Sequence, residues 1–346
     1  MKTLKALHVE PKSLFHVGEA GIGIERVTEF PHSDTIFSAI CNCYALLKGK
    51  DELEALLKKF RGKPPFLISS ALPLLCLPSG ERILFFPKPK VPLRFRSYVV
   101  GKEFKVASYL SASLLGEKDI VSLAEDGGLV RFGEFMVRSD EFESIRSYEM
   151  EVERYRVWRG HVVGNVLDRL TSKSTLYYRG VTSYSSGIHF CVLFKGEVGR
   201  DVEASLRLLK DEGLGGERSL GYGIFNFEFC EVSVSEVDNS NLLMTLSLYH
   251  PTCEEFMEFR KTPRFLNYRL VKRSGYAYSP FFAGGGLLRR WIRMFIEGST
   301  FPRVKGRDVY GCLVEVLRGD GFIPHSVYRY GYAFTLGLNE GWLGEG

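Results

Sequence analysis

The sequence lacks paired cysteine. Its seven Cys are odd in number, none stands in C-x-x-C spacing, and the nearest two are Cys41 and Cys43. Disulfide frameworks and Cys-rich zinc sites both need suitably spaced thiols, so neither is expected, and the cysteines read as small hydrophobes in a reducing cytosol. The seven His, at 8, 16, 32, 161, 189, 250 and 325, include no pair four residues apart. A helical His-pair metal site is therefore unsupported, and no metal or cofactor is expected. Long apolar runs are missing too. The longest, Leu67 to Leu77, is interrupted by Ser69, Ser70 and Pro73 and falls short of the roughly 18 residues a membrane span needs. The opening MKTLKALHVEPK has no long apolar stretch, so a secretory signal is not expected and a cytoplasmic protein is. No G-x-x-x-x-G-K-[ST] occurs, G-x-S-x-G is missed by one position, and no repeat of fixed period is found, which leaves a P-loop and a nucleophile elbow without support.

What is present is an ordinary globular composition over 346 residues, 45% hydrophobic and 25% charged. That length suggests two domains, or one with large insertions. Net charge is only +5, but residues 260 to 307 carry twelve Lys/Arg and a single acid, Glu297. Phe265, Tyr268, Tyr276, Tyr278, Phe281, Phe282, Trp291, Phe295 and Phe301 are interleaved with them. A second basic stretch, Arg82 to Lys105, holds seven Lys/Arg against Glu103, whereas Glu134 to Glu153 is acidic. Basic side chains neutralise phosphates and aromatics stack on unpaired bases, so the two runs point to nucleic acid or to an acidic partner surface, with a solvated face as the plain alternative.

Leu4 to Val9 alternates as a half-buried strand does. Ser33 or Asp34 can cap a helix whose Ile36, Ile40, Tyr44 and Leu47 share a face, and Gly49 closes it. Asp51 to Phe60 reads as a second short helix. Prolines at 64, 65, 73, 78, 87, 89 and 92 break up the next region, so 63–174 is predicted to be an insertion of short strands and irregular chain. Residues 175–184 and 188–195 are predicted strands joined as a hairpin at Ser185-Ser186-Gly187. An amphipathic helix over Asp201 to Glu212 and a strand over Ile224 to Val232 follow. Without the insertion, the order is strand, helix, strand, strand, helix, strand, the split βαβ pattern. Asp238-Asn239-Ser240 reads as a linker, with later strands expected near 308–317 and 327–338.

Between the last helix and strand of that pattern lies GLGGERSLGYG, 213–223, with five glycines around Arg218 and Ser219. Glycine lets successive N–H groups face an anion at close range. Dinucleotide loops follow a strand and open a helix; this one does the reverse, which favours backbone recognition of a nucleic acid over a nucleotide site, and a plain helix-to-strand turn is the alternative.

A ferredoxin-like pattern with this loop resembles the RAMP superfamily of CRISPR proteins. HVGEAGIGIERVTEFPHSDTIFSAI, 16–40, NVLDRLTSKSTLYY, 165–178, MFIEGSTF, 294–301, and HSVYRYGYAF, 325–334, narrow the resemblance to the subunit-four group of the type III-A Csm complex, a Cas-five-like branch. The resemblance implies an α+β fold of two ferredoxin-like (RRM-like) domains with a large thumb-like insertion in the first: 1–237, with the insertion at about 63–174, and a degenerate 238–346. It implies a non-catalytic RNA-binding subunit that grips the 5′ tag of crRNA near target RNA and contacts the large Cas-ten-type subunit and the Csm backbone RAMP subunit. Carried over by position, its RNA-binding residues are His32, Ser33, Asn165, Asp168, Arg169, Gly213, Gly215, Gly216, Arg218, Ser219, Gly221, Tyr222 and Gly223. The group's usual Arg before the Asn is Gly164 here. Asp168 and Arg169 are equally suited to a local ion pair. The rival reading is a metal-independent crRNA-processing endoribonuclease using His32 or His16 as acid–base; a protein-docking subunit is a third. Residues 16 to 31 contain no Asp and no GGDD occurs, so target-RNA cleavage and a cyclase role are not assigned.

Overall fold

The computed structural model describes residues 2–19, 25–146, 155–281, 287–319 and 325–344. Gly21, Gly23, Phe282 and part of the acidic stretch at 134–153 lie outside the described residues. The chain is a mixed α/β fold built on a nine-stranded sheet. Its first strand, Lys2–Pro11, lies between Phe225–Val234 and Ile188–Gly196 and is antiparallel to both. Ala6 to Val9 are all buried: the strand is covered on both faces, so the half-buried alternation holds only at its start.

Next to Ile188–Gly196 come Phe66–Ile68 and Leu72–Cys76, also antiparallel. Numbered by their place in the strand–helix pattern, these four positions run 4-1-3-2. The second strand is therefore supplied by 66–76, not by 175–184. Pro73 is tolerated there because the neighbour on its far side, Arg82–Pro87, begins pairing only at Leu74. Arg82–Pro87, Tyr109–Ser111, Phe135–Arg138 and Leu129–Phe132 extend the sheet further.

Residues 174–184 instead pair antiparallel with Val157–Leu167 in a two-stranded hairpin, eleven residues on each side. The expected hairpin at 185–187 is corrected accordingly. IHFCVLF is a continuous apolar run that needs neighbours on both edges, and Ser174–Tyr184 is buried only at Arg179 to Thr182, where it meets the body.

The first helix, Ser33–Lys48, buries Ile36, Phe37, Ile40, Cys43 and Tyr44 as one stripe and ends at Gly49, φ 85°. Its N-cap is His32, with no side-chain cap bond, so neither Ser33 nor Asp34 caps it; both are committed elsewhere. Lys50–Gly62 follows at once. Arg200–Glu212 turns Val202, Ser205, Leu206 and Leu209 inward against the first helix.

Residues beyond 241 form three small sheets: Thr300–Pro302, Leu242–Thr245 and Thr335–Leu338; Leu270–Arg273 with Ile292–Phe295; and Leu313–Leu317 with Val327–Tyr330. Among the described residues they carry one α-helix, Cys253–Phe259, closed by a capping box of Thr252 and Glu255. A single apolar cluster joins this part to the large sheet through Leu242, Met244, Leu246, Tyr330, Tyr332 and Phe334. The Tyr330 ring lies 5.0 Å from Phe37, and its hydroxyl accepts the Ile68 N–H at 2.9 Å. Tyr330 and Tyr332 are thus core residues. No described helix is long and apolar enough to cross a membrane.

Candidate nucleic-acid interface

The glycine-rich loop leaves Arg200–Glu212 at Gly213, φ +83°, and folds back on the first loop of the chain. Gly216 N–H donates to His16 O at 2.8 Å, and Gly223 N–H to Leu14 O at 2.7 Å. A Cβ on Gly215, φ +108°, would stand 2.5 Å from His16 O, and one on Gly223, φ +77°, 2.2 Å from Leu214 O. Close approach of backbone to backbone therefore requires these two glycines. Gly213 and Gly221 also donate within the protein, to Leu209 O and Arg218 O. Four of the five glycine amides are thus spent on the loop's own architecture, and the expectation that they form a cradle of N–H groups is revised. The loop positions side chains: Arg218, 4.8 Å over the Tyr278 ring and 3.7 Å from Glu212, and the exposed Ser219.

Beneath it is a cavity of about 270 Å³, lined by His16, Gly213, Gly215, Gly216, Arg218 and the start of the first helix on one side. Arg273, Arg289, Arg329, Tyr276 and Tyr278 line the other. Asp34, fully buried, accepts from Arg273 Nε at 3.0 Å and from its second terminal nitrogen at 3.1 Å, and it also pairs with Arg329. Burial alone would raise the Asp34 carboxyl, but the guanidiniums of Arg273 and Arg329 outweigh it and hold the group well below the usual carboxylate range. Arg273 further donates to Gly18 O and Thr35 Oγ1, both at 3.2 Å, and Arg329 to Ser274 O at 2.7 Å. Arg329 Nε is buried without a partner in the protein. Among the described residues Arg289 has only long side-chain bonds to carbonyls, 3.3 Å to Gly275 and 3.4 Å to Ser274. Burial, and then repulsion from Arg329, lower it to about 10, which leaves it charged at neutral pH. Four guanidiniums thus face one carboxylate among the cavity walls. Such an excess in a partly dry pocket attracts an anion. Tyr276 and Tyr278, each more than half exposed at the rim, offer faces for stacking.

The other expected residues lie outside this cavity. His32 Nδ1 donates to Glu297 Oε1 at 2.8 Å, so the lone acid of the basic block is engaged by it. Ser33 is buried: its N–H donates to Ser70 Oγ at 2.9 Å and its Oγ accepts from Leu248 N–H at 3.1 Å. Both join the first helix to the C-terminal part. Asn165, Asp168 and Arg169 are at the exposed tip of the 157–184 hairpin. Asn165 Oδ1 accepts from Ser174 Oγ at 2.6 Å, and Asp168 Oδ1 from the Leu170 and Thr171 amides at 2.8 and 3.1 Å. The Leu170 amide first, then Thr171, lower the Asp168 carboxyl; it is a turn-former, in place of the local ion pair with Arg169. A Cβ at Gly164 would meet the outer ends of two side chains, the Tyr177 ring at 2.4 Å and the Arg179 guanidinium at 2.7 Å, which would have to move aside. At the hairpin's base Arg179 reaches Glu217 at 2.9 Å and lies 5.1 Å over Tyr177 and 6.0 Å over Tyr222, while His16 Nδ1 donates to Gly180 O at 2.7 Å. Hairpin, first loop and glycine loop are thereby one connected structure.

Asp34, Arg289 and Arg329 were not among the expected RNA-binding residues. The basic run contains Arg289 and Arg273, but their convergence with Asp34 spans more than two hundred residues, and no local spacing announces it.

The fold is thus a mixed α/β one with an arginine-lined pocket beside the glycine-rich loop. Residues 238–338 match the family described as CRISPR Csm4 C-terminal domain. The chain is 28% identical over 316 residues to the Csm4 protein of Thermococcus onnurineus, covering 90% of this chain and 92% of that one. It is 25% identical over 319 residues to that of Methanocaldococcus jannaschii, covering 80% of each. A solved Csm3–Csm4 subcomplex of a type III-A interference complex superposes with TM-score 0.65 at 21% identity, over 97% of this chain and all of that one. A Csm1–Csm4 cassette with cA4 does so at 0.57 and 20%, over the whole of both chains. The resemblance to subunit four of the Csm complex is thus shown: the chain is Csm4-like.

Proposed function

We infer that this chain is the non-catalytic subunit four of a type III-A CRISPR interference complex, and that its arginine-lined cavity holds the phosphates of the crRNA 5′ tag. The carrying observation is the imbalance of four guanidiniums against one buried carboxylate beside exposed tyrosines, at the glycine loop. Tag nucleotides would be gripped as single-stranded RNA by phosphate pairing and stacking. The partners follow from likeness: relatives of this fold are named in assemblies with Csm1 and with Csm3, so the chain would bridge the large subunit to the backbone in the cytoplasm, near target RNA. The 4-1-3-2 strand order supports a ferredoxin-like first part, 1–237, with 238–346 as a degenerate second. The 157–184 hairpin would be its thumb.

The test is isolation of the tagged chain's complex from its native host, with 5′-end mapping of bound RNA. Short RNAs sharing one 5′ tag are expected, with Csm-type partners. RNAs lacking a common 5′ end would overturn the tag assignment. Cleavage of repeat RNA in EDTA, abolished by His32→Ala, would overturn the non-catalytic one.

A further inference from the structure

Away from the cavity, three ligand-bearing side chains converge on the large sheet. His8 is on Lys2–Pro11, His189 on Ile188–Gly196 and Cys76 at the end of Leu72–Cys76, three neighbouring strands. The register pairs His8 with Cys191 and His189 with Leu74, so by the two-residue alternation of strands all three point to one face. His8 Nε2 lies 2.7 Å from His189 Nδ1, and Cys76 Sγ lies 3.4 Å from His189 Nδ1 and 3.9 Å from His8 Nε2. A tetrahedral zinc ion, with bonds of about 2.0–2.1 Å to nitrogen and about 2.3 Å to sulfur, holds such atoms roughly 3.3–3.6 Å apart. Cys76 Sγ is already at that spacing from His189 Nδ1 but a few tenths of an ångström beyond it from His8 Nε2, and the two rings need to separate by roughly 0.6 Å.

The surroundings fit as well. His8 Nδ1 donates to Glu228 Oε1 at 3.0 Å, and the same oxygen is held by Arg82 at 2.9 Å. A carboxylate on Nδ1 holds the tautomer whose Nε2 lone pair faces the cluster, the arrangement that orients metal-ligating histidines. His8 is buried, while Cys76 and His189 are half-buried, so a fourth position is open to water. Rigid strands carry all three ligands, and the two facing nitrogens hydrogen-bond each other with Cys76 Sγ beside them.

We propose that His8, Cys76 and His189 form a zinc site on the large sheet, with Glu228 as its outer-shell partner. Zinc suits a mixed imidazole–thiolate set better than magnesium or calcium, which take oxygen ligands. The ion would tie three strands whose ligands come from positions 8, 76 and 189, and so stabilise the sheet that supports the glycine loop.

The test uses the full chain, stripped with chelator and titrated with cobalt(II), then zinc. One equivalent of cobalt with a thiolate-to-metal charge-transfer band, displaced by zinc, is expected. Cys76→Ser should lose that band, and Glu228→Gln should keep it with affinity lowered about 10–100-fold. Absence of the band in the wild-type chain, or its survival in Cys76→Ser, would overturn the proposal. Should Cys76→Ser fail to fold, the wild-type spectrum and its response to Glu228→Gln still decide.

Discussion

Arg273 grips Asp34 with two parallel hydrogen bonds, 3.0 and 3.1 Å, across 239 residues of sequence. This pair fastens the first helix of the N-terminal part to the basic block of the C-terminal part, and it forms the floor of the arginine cavity. It explains why Asp34, well placed by sequence to cap its helix, does not: a carboxylate buried beside two guanidiniums is worth more there than at an exposed amide.

Asp34→Asn should therefore destabilise the chain severely. The substitution leaves Arg273 and Arg329 buried without a counter-charge, a loss of about 3–5 kcal/mol. Denaturant unfolding should show the midpoint falling with little change in slope. A loss below about 1 kcal/mol would mean that the guanidiniums find other partners or water.

Arg289 separates binding from folding better than its neighbours do. Its bonds to Gly275 and Ser274 carbonyls are long, 3.3 and 3.4 Å, so Arg289→Ala should fold normally. If it meets a phosphate, tagged-RNA affinity should drop and the log–log salt slope should shrink by about 0.7. Arg218→Ala should behave alike. Unchanged slope and affinity in both variants would remove the cavity from the RNA path.

The glycines of the loop are expected to differ from one another. Gly223→Ala puts a Cβ 2.2 Å from Leu214 O at φ +77°, whereas Gly221→Ala at φ +80° meets nothing within 4 Å. The second should cost only the left-handed backbone penalty, about 1–2 kcal/mol; the first should cost that plus displacement of the loop. Thermal melts of the two variants read the difference directly. Equal melting temperatures would mean that the loop yields freely, and that its contact with His16 and Leu14 is loose.

The parts of this protein visible in its sequence are the local ones. The stripe Ile36, Ile40, Tyr44 and the turn at Gly49 follow from helical period and glycine geometry, and the glycine loop follows from composition. Short strands are expected in 63–174, but the place of 66–76 in the central sheet is not legible, because Pro64, Pro65 and Pro73 argue against a central strand unless one neighbour is absent at Pro73, which only the sheet reveals. The hairpin at 157–184 is not legible in the sequence because Val163, Val166, Leu167, Leu170 and Leu176 are exposed on it, so burial does not set its pattern. The cavity's Asp34, Arg273 and Arg329, like His8, Cys76 and His189, meet through sheet register and core packing. No spacing rule reaches across those distances.

Glu29 supplies a pH dependence of defined sign. Burial, and then the charge of Glu134, push its carboxyl up from 4.5 to about 7, although Arg159 at 3.1 Å pulls the other way. The folded chain therefore holds this proton more tightly than the unfolded chain between those two values. Stability must fall as pH rises through that window and level off above it. Because the group keeps some contact with solvent, the fall should be about 1–2 kcal/mol rather than the roughly 3 kcal/mol of the full shift. Glu29→Gln keeps a neutral hydrogen-bonding group at every pH, so it should remove the fall and melt higher than the wild type at pH 8 but not at pH 5. Melting curves of both chains at the two pH values check this. Parallel pH profiles would show that Glu29 is ionised in the fold and that Arg159, not Glu134, governs it.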